Sequence, residues 1–316
     1  MIRASDLMSQ NSWILRFGEL GLKSKSVRGS FQRLLRKNMF ELAKNKGITL
    51  FHEIIRNQDH VSSPDSVKDV ERILSSILGV VAIDRIIKLD CGLLPEQVAK
   101  AIIVDSENFS KKRTFGVRVR RIEKSGNITS KEYEIRIGSE MIKLDPSLSV
   151  NLSNPDEWIK LVVEKNHIFQ IKYRIETCAG LPPGAQGDVL IQINSERRML
   201  EGFLIMRRGV RLIPVLESKK EFIDLLSNFD PFIGKRTPEH EMQGHAFDRP
   251  AWGIIGLSIE EAEPFIGRRE EAVKTTPIST LGPLTGWSDR EIDGLMKHFF
   301  DPLNNTIHPF ISEWIT

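Results

Sequence analysis

Apolar residues recur every three or four positions in "KSKSVRGSFQRLLRKNMFELAKNKG", residues 23–47. Val27, Phe31, Leu34, Leu35, Met39 and Leu42 share one face there, which predicts an amphipathic helix closed by Gly47. The shorter apolar run "SWILRFG" before it reads as a strand. "ITLFHEIIRN" reads as a strand, "SPDSVKDVERILSSILG" as a capped helix and "VVAIDRIIKL" as a strand, with room for one more strand before the second helix. Strand, helix, strand, strand, helix, strand is a ferredoxin-like α/β order, and it predicts a first module over residues 1–90.

A second module is expected over residues 91–176. "LLPEQVAKAIIVDSENF" is predicted as a helix, "TFGVRVRRI" as a strand and "TSKEYEIRIGSEMIKL" as a helix with a Ser/Thr cap. "SVNLSN" and "EWIKLVVEKNHIFQIKYRI" supply strands, the latter two joined by a hairpin turn at "EKNH". Glycine and proline then crowd "ETCAGLPPGAQG", which marks residues 177–187 as a linker or a rigid loop. Beyond it, "DVLIQI", "SERRMLEGFLIMRRG" and "VRLIPVL" form a strand-helix-strand unit suited to a parallel sheet, opening a third domain over 188–316. "EFIDLLSNF", "RPAWGIIGLSIEEAEPF" and "SDREIDGLMKHFF" are the clearest later elements.

Charge separates the chain into unlike parts. Residues 1–182 hold thirty Lys and Arg against twenty-two Asp and Glu, a surplus of eight positive charges; residues 183–316 hold fifteen against twenty, a deficit of five. A basic module that meets an anion and an acidic one that does not would produce this split. Cys91 and Cys178 are the only cysteines and fit neither a disulfide framework nor a zinc site, so a reducing cytoplasm is expected. The opening "MIRASDLMSQNSWI" lacks the apolar core of a signal peptide, and no apolar run approaches the about 18 residues of a membrane span.

Two basic clusters are the leading candidates for chemistry. Lys23, Lys25 and Arg28 surround the start of the first helix, where exposed amides favour phosphate. Lys111, Lys112, Arg113, Arg118, Arg120, Arg121 and Lys124 form the second; in a strand, Arg118 and Arg120 share a face opposite Phe115, Val117 and Val119. The strand-to-helix loop "INSERRML" has no glycine to let backbone amides approach a phosphate, although Ser195 can cap the helix. His240 and His245 lie near Glu239 and Glu241 without a further ligand set, so no metal site is assigned. Cys178, next to Ala179 and Gly180, is expected to be accessible, though a lone cysteine assigns no catalysis.

The motifs then fall in a familiar order. "LRFGELGLKSKSVRGSFQRLLRKNM" resembles the opening of the tRNA 4-thiouridine synthetases, also called thiamine-biosynthesis-like tRNA sulfurtransferases. "FGVRVRR" with "NITSKEYEIRIGSEMI" resembles their THUMP domain, and "GLPPGAQGDVLIQI" with "FLIMRRGVRLIPV" resembles the linker and first strand-helix-strand of their ATP-pyrophosphatase domain. The likeness covers residues 12 to 216 and becomes patchy beyond, where "LGPLTGWSDREID" resembles a late family segment. It implies a ferredoxin-like domain, a THUMP domain and a parallel-sheet, adenine-nucleotide-alpha-hydrolase-like domain. In that family the first two bind tRNA and its 3′ acceptor end, and the third adenylates a uridine oxygen before sulfur replaces it.

The family's adenylating loop, Ser-Gly-Gly-x-Asp-Ser, falls on Asn194, Ser195, Glu196, Arg197, Arg198 and Met199. Both glycines are absent, the aspartate is an arginine and the last hydroxyl is a methionine. No cysteine follows Cys178 to serve sulfur transfer. The resemblance therefore implies a tRNA-binding protein with a degenerate pyrophosphatase domain, acting as an accessory or partner subunit of a tRNA-modifying enzyme and needing no cofactor. Its expected RNA contacts are Lys23, Lys25, Arg28, Arg118, Arg120, Arg121, Lys124 and Lys131, and no catalytic residue is assigned. The acidic third domain would present a protein partner or support a homodimer. Two alternatives stand beside this: an active sulfurtransferase whose Arg197 and Arg198 hold ATP, and an interaction module that binds no RNA.

Overall fold

A computed structural model describes residues 11–55, 58–105, 114–121, 128–164, 167–215, 217–235, 251–262, 279–302 and 304. The chain opens with β1 (Asn11–Arg16), α1 (Lys25–Asn45), β2 (Phe51–Ile55), β3 (Gln58–Ser63), α2 (Val67–Ser76) and β4 (Ala82–Leu89), the predicted ferredoxin-like order. α1 ends where Gly47 takes a φ of 69°, a left-handed conformation that suits glycine. Next come α3 (Pro95–Asp105), β5 (Thr114–Arg121), α4 (Ser130–Leu144), β6 (Ser149–Val150), β7 (Glu157–Glu164) and β8 (His167–Glu176). The predicted strand over "SVNLSN" is only two residues long. Its cause is Asn151, whose side chain accepts the amides of Ser153 and Asn154 at 2.9 and 3.0 Å and turns the chain.

The remainder supplies β9 (Asp188–Ile191), α5 (Glu196–Arg207), β10 (Arg211–Pro214), α6 (Lys220–Leu226), β11 (Gly253–Ile255), β12 (Ser279–Thr280) and α7 (Asp289–Phe300), with a helical turn at Ile259–Ala262. The structure divides into two compact units: Met1–Ile14, Phe51–Ser62 and Asp84–Arg174 form the first, and Leu15–Leu50, Ser63–Ile83 and Ile175–Thr316 the second. Among the described residues, no helix is long and apolar enough to cross a membrane.

Most of the first unit is an eight-stranded sheet in the order β2-β3-β1-β4-β8-β7-β5-β6. β5 runs parallel to β7, and β7 pairs antiparallel with β8 as the predicted hairpin. Phe115, Val117 and Val119 point from β5 into a core shared with Ile137 and Met141 of α4 and Val98 of α3. The alternate residues of β5 are thereby left to the opposite face.

The second unit contains a sheet in the order β10-β9-β11-β12 with every pair parallel, so β9-α5-β10 is the parallel unit that the pattern predicts. The Gly/Pro segment takes the rigid form of its two readings. Leu181 N–H donates to the Arg207 carbonyl at 2.9 Å, and Asn38 donates to the Pro183 carbonyl at 3.1 Å. Gly180 has a φ of 79°, and a Cβ there would lie 2.4 Å from the Arg207 carbonyl oxygen, so this close approach requires glycine.

Packing of that segment corrects the expected accessibility of Cys178. The residue is 1% exposed, its Sγ lies 3.4 Å from His298 Nε2, and its carbonyl accepts from Arg207 Nε at 2.9 Å. Burial pushes its thiol up to about 12, opposed only partly by the Arg207 charge. A thiol reagent at pH 8 is expected to modify half-buried Cys91 in the native protein and to reach Cys178 only after unfolding. Counting modified thiols before and after denaturant, with mass mapping, checks this.

Candidate nucleic-acid interface

The predicted arginine face of β5 is present and larger than the sequence suggested. Arg118 and Arg120 are exposed on one side of the strand while Val117 and Val119 are buried. β7 lies in register with Arg118 opposite Lys160 and Gly116 opposite Trp158. The Trp158 ring lies across Gly116, where a Cβ would sit 2.5 Å from ring carbon, so glycine makes room for the indole. Arg118 then places its guanidinium 4.5 Å from the Trp158 ring centroid, a cation–π stack. Exposed Lys160 stands beside it. Trp158 and Lys160 were missed by a search for runs of basic residues. Their signal was the alternation in "EWIKL", with Ile159 and Leu161 buried between them.

Glu134 of α4 fixes this edge. Its Oε1 accepts the Val119 N–H at 2.8 Å, and its Oε2 lies 3.7 Å from Arg118 Nη1. The carboxylate satisfies a backbone donor at the outer side of β5 and leaves the Arg118 side chain 49% exposed. Arg121 behaves differently, because its guanidinium donates to the Ile128 carbonyl. Lys131 is exposed in the first turn of α4, after a capping box in which Thr129 and Glu132 bond reciprocally. Those bonds hold the Glu132 carboxyl below its usual range. Lys124 lies outside the described residues.

The first basic cluster belongs to the second unit. Lys23 and Lys25 are exposed and Arg28 is half-buried around the start of α1. That helix has no acidic residue in its first turn and no side-chain cap from Ser24, in contrast to α4 and α7, whose first turns carry glutamates. Positive side chains thus adjoin an already positive helix end. Such a surface is stabilised by an external anion.

The degenerate loop follows β9. Ser195 Oγ accepts the Arg198 N–H at 3.3 Å and caps α5, as its position predicts. Arg198 pairs with the 5%-exposed Glu201 at 2.6 Å, and its side chain packs on Gly256, where a Cβ would fall 3.0 Å from Nε. Met199 is buried in the core. Asn194, Glu196 and Arg197 remain exposed, with Arg197 4.0 Å from Glu201. Of the four loop side chains able to donate to a phosphate (Asn194, Ser195, Arg197 and Arg198), Ser195 and Arg198 are therefore engaged within the protein. His240 and His245 lie outside the described residues; among the described residues no group of His, Cys, Asp and Glu is arranged to hold a metal ion.

Residues 96–169, which carry β5, β7 and α4, match the THUMP domain family. The chain is 28% identical over 205 residues to a probable tRNA sulfurtransferase of Staphylococcus epidermidis, covering 64% of this chain and 50% of that protein. It is 27% identical over 241 residues to one from Methanocaldococcus jannaschii, covering 71% of this chain and 62% of the relative. The chain thus spans about half to three-fifths of the length of these relatives. Its fold is shared with PH1313 from Pyrococcus horikoshii, at a TM-score of 0.67 and 22% identity over 92% of this chain and 99% of that one. A 4-thiouridine synthetase solved with RNA and ATP aligns with a TM-score of 0.62 and 19% identity, over 95% and 89% of the two chains. Fold and sequence together define a THUMP-domain protein. Within that class the chain is similar in sequence to probable tRNA sulfurtransferases and shares its fold with a 4-thiouridine synthetase.

Proposed function

We propose that this protein binds tRNA in the cytoplasm through its basic N-terminal half and serves as a non-adenylating accessory or partner subunit in tRNA modification. The observation that carries the reading is the open Arg118–Arg120–Lys160 face beside Trp158, combined with a loop whose Ser195 and Arg198 are bonded internally. Arginine and lysine on that face would contact phosphates, and the stacked Trp158 would support shape recognition without base-specific hydrogen bonds. Lys23, Lys25, Arg28 and Lys131 would add phosphate contacts. The names of the two relatives above, each a probable tRNA sulfurtransferase, support tRNA as the nucleic acid.

The loop supports the non-adenylating reading. Backbone amides reach a triphosphate closely only where glycines leave space, and residues 194–199 contain none. In one preparation, salt-sensitive tRNA binding is expected with no tRNA-dependent exchange of pyrophosphate into ATP. Exchange above the no-enzyme control would overturn the non-adenylating assignment and favour Arg197 as a rebuilt phosphate ligand.

A further inference from the structure

The second unit contains a cleft of about 890 Å³ that the RNA-binding reading does not use. Its walls come from the end of α1, from α2, from the chain after α6 and from the end of α7. The floor is apolar: Ile73, Phe229 and Phe299 line it and are buried. Phe300 stands at the edge, 58% exposed, with its ring 5.4 Å from Phe299 at an interplanar angle of 88°. A large aromatic side chain left this open at a concave site is a surface for another flat group.

Three cations line the same cleft. Lys68 and Arg72 lie one helical turn apart on α2, and Lys46 follows the end of α1. Like charges at this spacing destabilise a helix, and no described carboxylate pairs with any of the three. Asp69 and Asp301 also line the cleft, but Asp301 already accepts from Asn304 at 2.9 Å. An incoming anion would relieve the repulsion and supply the missing partner.

We propose that this cleft binds a nucleotide, with the phosphate at Lys46, Lys68 and Arg72 and the base against Phe300. Cations bordering an exposed aromatic ring are the arrangement that takes phosphate and base together. The volume falls in the range of roughly 300–1,000 Å³ typical of small-molecule sites. The nucleotide is either free in solution or one unit of an RNA strand.

The test is calorimetric titration of the full chain with AMP in phosphate-free buffer, and separately with a ten-nucleotide oligouridylate. The variants are Arg72→Ala and Phe300→Ala, both at exposed positions. Saturable AMP binding weakened about tenfold or more by Arg72→Ala, and several-fold by Phe300→Ala, is expected for a free nucleotide. If the oligonucleotide alone binds, with the same two sensitivities, the site takes a nucleotide of a strand. Binding of neither, or binding indifferent to both variants, overturns the proposal. Inorganic phosphate that competes as well as AMP also overturns it, since the aromatic wall would then contribute nothing. Arg118→Ala/Arg120→Ala, on the sheet face, leaves AMP binding unchanged, so failure of this site and failure of the sheet-face reading are separable.

Discussion

Arg211→Met is expected to destabilise the protein by about 3–5 kcal/mol, measured by urea unfolding of the second unit. The guanidinium is only 16% exposed and joins three parts of that unit. It donates to Asp230 Oδ2 at 3.0 Å, to the Pro183 carbonyl at 2.9 Å and to Asn38 Oδ1 at 3.3 Å, and its carbon lies 5.0 Å from the Phe232 ring centroid. Asp230 is fully buried, so methionine would leave its carboxylate with the Phe232 N–H and no cation. The cost arises from that stranded charge more than from the contacts themselves. Arg211→Met/Asp230→Asn is therefore expected to recover much of the loss. A single variant within about 1 kcal/mol of wild type would contradict the role assigned to Arg211.

The elements legible in the sequence are those whose pattern has a strong period. α1 and α4 declare themselves by apolar spacing, and β5 by the alternation of Phe115, Val117 and Val119 with arginines. β3 is harder to see, because "QDHVSS" buries Gln58, Asp59 and His60 together with Val61 and so shows no alternation of polarity. Burial of polar side chains depends on partners contributed by other strands, such as His52, which lies 2.7 Å from Asp59. Nothing local announces them.

The candidate site divides in the same manner. Arg118 and Arg120 were legible because strand geometry alone sets their common face. Lys160 and Trp158 come from a neighbouring strand, and only the register of β5 with β7 brings them beside Arg118. Strand alternation puts Arg121 on the opposite face, where its guanidinium donates to the Ile128 carbonyl. The missing glycines of the loop could be read directly. The destination of Arg198 could not, since Gly256 reaches it from β11 through the parallel sheet. Cys178 was misjudged because adjacent glycine and proline suggest exposure, whereas positive-φ turns at Ala179, Gly180 and Gly184 fold the segment into the core.

The most direct measurement is tRNA affinity as a function of salt for wild type and for Arg118→Ala/Arg120→Ala. Both side chains are exposed, so the variant is expected to keep its circular dichroism and unfolding midpoint. Wild-type affinity should fall steeply as salt rises, because phosphate contacts release counterions. Each phosphate contact contributes about 0.7–0.9 to the log–log slope, so losing two contacts should reduce its magnitude by about 1.4–1.8. The affinity itself should fall by roughly 10- to 100-fold at low salt. A shallower slope with weaker binding is the predicted result; an unchanged slope and affinity would contradict the assignment of this sheet face to RNA.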